Sequence, residues 1–130
     1  MGIKSGRENW LRYFPQNKRG EMGMNINGFA RGYMSNNHSG EEFIKHVVEE
    51  IEQQLVEWDH NYEVFLLKLS YYEIMVKKED QYYHVKLSEN EVNSLQKSGP
   101  FQLDRKIWKD LENQGVTIIK GHGNYIDTVL

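Results

Sequence analysis

The chain contains no cysteine, which removes disulfides, thiolate metal sites and cysteine nucleophiles together. Everything that remains is compatible with a reducing cytoplasm. Proline is almost as scarce: Pro15 and Pro100 are the only two, and both stand where an element is expected to begin or end. No apolar run reaches the length of a signal-peptide core or a membrane span, so the sequence reads as soluble and cytoplasmic, with no membrane partner. An excess of one charge is also missing. Sixteen basic and nineteen acidic residues are interspersed to a net charge of -3, which leaves no global field to draw the chain to nucleic acid or anionic lipid. Met1-Gly2 opens like a myristoylation site, but Gly6 stands where that pattern needs Ser or Thr. Asn37-His38-Ser39 spells a glycosylation sequon, which without a secretory route marks only a polar loop.

What is present makes up for a hydrophobic content of only 38%. Eight tyrosines, five phenylalanines and three tryptophans each bury a large surface, so an aromatic-rich core is expected. A chain of 130 residues suffices for one domain with a core of its own. No repeat, low-complexity tract or linker divides it, so residues 1–130 are read as one domain.

The clearest periodicity runs from Gly40 to Trp58, where Phe43, Ile44, Val47, Val48, Ile51, Leu55 and Trp58 recur at helical spacing. Ser39 followed three residues later by Glu42 completes a capping box at its start. The next block, residues 61–87, alternates as strands do: Tyr72, Ile74 and Val76 against Tyr71, Glu73 and Met75, then Tyr83, Val85 and Leu87 against Tyr82, His84 and Lys86. Lys78 to Gln81 is the hairpin turn between them. Whether 62–77 is one bent strand or two is left open by Ser70, the sole turn residue there. A second capping box, Ser88 to Glu91, opens a short helix. A further helix carries Leu103, Ile107, Trp108 and Leu111 and is closed by Gly115. Val116 to Lys120 reads as a short strand and "GHGNY" as a turn. Near the N-terminus, Glu8 to Phe14 reads as a short helix stopped by Pro15, and Asn27-Gly28 as the type I′ turn of a hairpin over residues 22–34. The expected architecture is α+β: a mainly antiparallel sheet with helices packed on one face.

Chemistry is harder to find. His38, His46, His60, His84 and His122 never approach one another at metal-ligand spacing, and the trio His46, Glu42 and Glu49 reads better as a solvated helix face than as a divalent site. Neither a metal nor a cofactor is expected. His122, flanked by Gly121 and Gly123, sits in a loop whose amides could approach an anion. That loop lacks the spacing of a phosphate-binding motif and reads better as a structural turn. No serine nucleophile pattern occurs, so an enzyme with a site near His122 ranks third among the function classes. Nucleic-acid binding ranks second: Phe29, Arg31 and Tyr33 on the 22–34 hairpin, beside Lys18 and Arg19, would offer stacking rings and phosphate-binding cations. First is protein recognition. Tyr71-Tyr72 and Tyr82-Tyr83 put one ring on each face of a sheet, and one layer of helices covers only one of each pair. The uncovered set, Tyr71, Glu73, Tyr82, His84 and Lys86, has the composition of an interface with another protein or a second copy. The expected class is a non-catalytic binding or regulatory protein, of the immunity-protein or inhibitor type or self-associating.

Overall fold

The computed structural model describes residues 10–12 and 28–130. Its elements run β1 (Trp10–Arg12), α1 (Gly28–Asn37), α2 (Gly40–Trp58), β2 (Tyr62–Lys68), β3 (Tyr71–Lys78), β4 (Gln81–Ser88), α3 (Glu89–Ser98), α4 (Gln102–Asn113) and α5 (Tyr125–Val129). The fold is α+β. Four antiparallel strands lie in the order β1-β2-β3-β4, and the helices cover one of their faces.

Helix α2 has the bounds its periodicity predicts, and both parts of the Ser39–Glu42 capping box are formed. Ile44, Val48, Ile51 and Leu55 make one fully buried stripe. A second stripe, one residue behind at the start, begins with Phe43 and Val47 and then turns polar at Glu50 and Gln54, which are buried all the same. The inner face of the sheet brings Tyr62, Val64, Leu66, Tyr72, Ile74, Val76, Val85 and Leu87 to the same core, and α4 adds Leu103, Ile107, Trp108 and Leu111. The N–H of Val64 donates to the buried Glu52 carboxylate at 3.2 Å, so a side chain of α2 satisfies a backbone donor of the sheet.

The open question over residues 62–77 resolves as two strands joined by a tight turn, with Lys68 opposite Tyr72. The next turn is where the sequence puts it, Glu79-Asp80, with Glu79 at φ 54°. The capping box at Ser88 is formed, and Gly115 at φ 113° follows α4.

Three expectations fail. Trp10–Arg12 is a strand paired to Leu67–Phe65, not part of a Glu8–Phe14 helix, the rest of which lies outside the described residues. The 22–34 hairpin is not formed: residues from Gly28 onward are helix α1, and 22–27 lie outside the described residues. Val116 to Lys120 joins no ladder. Val116 points into the core and Ile119 out of it, so the alternation is real, but it belongs to a segment without a strand partner.

Candidate functional site

On the uncovered face, cross-strand register sets the side chains in rows. Glu73 stands opposite Lys86, Met75 opposite His84, Lys77 opposite Tyr82 and Tyr71 opposite Ser88. On the β2 side, Leu67, Phe65 and Glu63 continue the first three of these rows, but Leu67 is buried, so the open part of the face is that of β3 and β4. The five residues singled out from alternation alone, Tyr71, Glu73, Tyr82, His84 and Lys86, therefore share one continuous patch. His84 Nδ1 lies 2.8 Å from the Glu73 carboxylate, and the Lys86 ammonium sits over the Tyr71 ring at 5.8 Å. Tyr82 is 52% exposed, while Met75 at the centre is half-buried. An apolar centre within a polar, aromatic rim is the anatomy of a protein-binding surface.

The edge of β4 is a different matter. The His84 N–H donates to Gln114 Oε1 at 3.1 Å, and Gln114 Nε2 donates back to the His84 carbonyl at 2.7 Å. One side-chain amide thus takes both groups that an added strand would need at that position, which protects the edge. The face is left open and this part of the edge is not.

The second polar assembly is buried. Arg31, fully inside, donates to Asp104, to Glu50 at 3.4 Å and to the Pro100 carbonyl at 3.1 Å. Its guanidinium lies 4.8 Å from the Phe101 ring centroid and 5.6 Å from that of Phe43, so the cation has two aromatic neighbours. The other Asp104 oxygen accepts from the Tyr125 hydroxyl, which accepts in turn from Trp108 Nε1 at 3.2 Å. Side chains from α1, α2, α4 and α5 thereby meet at one buried charge. Gln96 of α3 adds a clamp, donating to the carbonyls of Ser35 and His38 at the end of α1.

Comparison with protein families, curated proteins and solved structures returns no match. The chemistry must be read from the side chains themselves.

Two carboxyls around one guanidinium would leave an excess buried negative charge. Burial resolves this by pushing Glu50 up to about 8, against the pull of Arg31, so at neutral pH Glu50 is mostly protonated and Arg31–Asp104 is a one-to-one pair. Burial, with the Arg31 charge beside it, brings His46 down to about 4, so its ring 3.7 Å from Glu50 is neutral and the two do not form an ion pair. Burial and then the adjacent Asp104 hold the Tyr125 hydroxyl well above its usual range, which keeps it a donor. Burial opposes the charge on Arg31, but Asp104 outweighs it and holds the guanidinium protonated.

These shifts fix a pH profile. Glu50, raised in the fold, contributes stability that is complete below its unfolded value and lost as pH rises through about 8. His46, lowered in the fold, contributes stability present above its unfolded value and lost as pH falls through about 4. Their slopes oppose one another near pH 5 to 6, and above about 6.5 Glu50 acts alone. The stability lead of Glu50→Gln over the parent protein should therefore widen between pH 6.5 and 8 in urea titrations; a constant difference would show that Glu50 is ionised throughout.

Arg31 is thus spent inside the protein. Tyr33 faces solvent from α1, and Phe29 lies in the first turn of the same helix. The second-ranked reading, an exposed Phe29, Arg31 and Tyr33 strand, loses both its hairpin and its cation. At the His122 loop, the amides of Gly121 and Gly123 donate to the two oxygens of Asp127, at 2.8 and 2.5 Å. The loop already holds an anion, the protein's own carboxylate, and those bonds lower its pKa. His122 itself is exposed. Glu42, the third member of the trio considered with His46 and Glu49, reaches back to the Ser39 N–H instead.

Sequence reasoning missed Glu50 and Asp104. A signal for Glu50 existed, because 43, 47, 50 and 54 form a buried stripe at helical spacing. Asp104 gave none, because an acid in the first turn of a helix is what the helix dipole favours on any surface.

Proposed function

We propose that this chain is a non-catalytic binding protein acting through protein–protein contact, and that it binds with the open face of β3 and β4. The observation that carries the reading is the one-sided cover of the sheet: helices bury the inner face, while Tyr82, Met75, Tyr71 and the charges around them stay at the outer surface. An isolated exposed ring needs no explanation, but a contiguous patch with interface composition does. The absence of cysteine suits a cytoplasmic setting, and a small acidic protein suits the immunity-protein or inhibitor type.

A photo-crosslinking amino acid in place of Tyr82 tests this in cells, with Lys109 on the outer side of α4 as the comparison position. Defined adducts are expected from position 82 and not from 109. Equal labelling at both, or none at 82, would overturn the reading. Because Tyr82 is exposed, Tyr82→Asp should leave stability within about 0.5 kcal/mol of the parent, so a loss of adducts at neighbouring face positions in that variant reports binding and not folding.

A further inference from the structure

The rows of the open face are related to one another in a way that points to a particular occupant. Met75 and His84 form the central row, with Phe65 on their β2 side; Glu73 and Lys86 lie two residues to one side of it, and Lys77 and Tyr82 two residues to the other. Consider a second copy laid face to face and related by a two-fold axis running across the strands along that central row. Met75 and His84 then each meet their own counterpart. Glu73 meets Lys77 of the other copy, Lys77 meets its Glu73, and each Lys86 meets a Tyr82 ring. Sheets stacked this way keep their strands within about 30° of one another, so the correspondence survives the twist across a patch of three rows.

We propose, resting on the binding face just described, that its occupant is a second copy of this chain in this isologous arrangement. Two features of the face itself support it. Lys77 stands half-buried on the sheet with Glu63 opposite it on β2, and its ammonium closes no ion pair with another described residue. His84 takes one oxygen of Glu73, which leaves the other to accept. On β3 and β4 the match is self-complementary, as an isologous contact must be, and it pairs acid with base and cation with ring; on β2 the same axis sets Glu63 against Leu67. From strand spacing and rise the patch measures roughly 15 by 20 Å, about 300 Å² per copy, less than half of the roughly 800 Å² that each partner gives to a standard interface, so the association is weak.

Sedimentation equilibrium over a wide concentration range tests the arrangement with Glu73→Lys, Lys77→Glu and the double variant. Each single variant sets two like-charge pairs across the axis and should weaken self-association about tenfold or more; the double variant should restore it. Mixing the two single variants should yield heterodimers, because one then carries two lysines opposite two glutamates on the other. Recovery on mixing cannot come from any change in folding. A dimer whose affinity ignores all these changes would overturn the two-fold arrangement. A parent protein that stays monomeric at the highest soluble concentration, while position 82 still crosslinks to a chain of another mass, would overturn the second copy as occupant and leave the binding face standing. A monomer without adducts would overturn both.

Discussion

Asp104→Ala is expected to destabilise the protein by about 3–5 kcal/mol, the usual cost of removing one partner from a buried ion pair. The size follows from what is left behind. Arg31 has no exposed surface and would keep only Glu50 and the Pro100 carbonyl, and the Tyr125 hydroxyl would lose its acceptor. Removing both charges is a different experiment. In Arg31→Met with Asp104→Leu the site becomes apolar between Phe43 and Phe101, and since a buried pair contributes little over a packed hydrophobic substitute, the double variant should be more stable than Asp104→Ala alone. Urea unfolding followed by tryptophan fluorescence reads both, Trp108 being part of the network. The loss should also be uneven along the chain. Arg31 is the fully buried side chain described on α1, so amide exchange over 28–37 should accelerate before that of β3. A cost below about 1 kcal/mol for Asp104→Ala, or exchange that rises uniformly, would show that the pair does not hold α1 in place.

Val48→Asp should abolish the fold. Val48 is buried in the middle of the aliphatic stripe of α2, within the core shared by Ile74, Val85 and Trp108, and no side chain that could neutralise a carboxylate belongs to that core cluster. An unpaired charge there costs more than the roughly 5–15 kcal/mol that stabilises a domain of ordinary size. Circular dichroism and thermal melting decide it: a soluble variant with a cooperative transition would mean that the stripe does not face the core. The contrast with Asp104 is instructive, because that equally buried acid is tolerated through its guanidinium and hydroxyl partners. Burial alone does not set the cost of a carboxylate; its partners do.

The parts of the fold legible in advance are those whose causes lie within a few residues of one another. Helix α2 was marked by a 3.6-residue repeat and a capping box, strands β3 and β4 by a two-residue repeat with a turn between them, and α3 by its own capping box at Ser88. The outward face of the sheet followed from the same alternation, which is why Tyr71, Glu73, Tyr82, His84 and Lys86 fall together on it. Local signals also misled. Asn27-Gly28 announces a hairpin, and Val116 to Lys120 alternates as a strand does.

What overrode them lies far away in sequence. Arg31 and Asp104 are 73 residues apart, and their pairing places α1 as a helix against α2 and α4, where a turn preference of a few tenths to one kcal/mol could not prevail. Trp10–Arg12 is too short to hold a structure of its own and is a strand because β2 offers it an edge. Val116 to Lys120 has no such edge: Gln114 already occupies the backbone of β4 at His84. By itself the sequence determined the periodic elements, their caps and the composition of the open sheet face, since each depends on neighbours along the chain. Only the tertiary structure decided where the unpaired segments go and which charges are buried, because a buried ion pair and a strand edge exist only after distant residues have met.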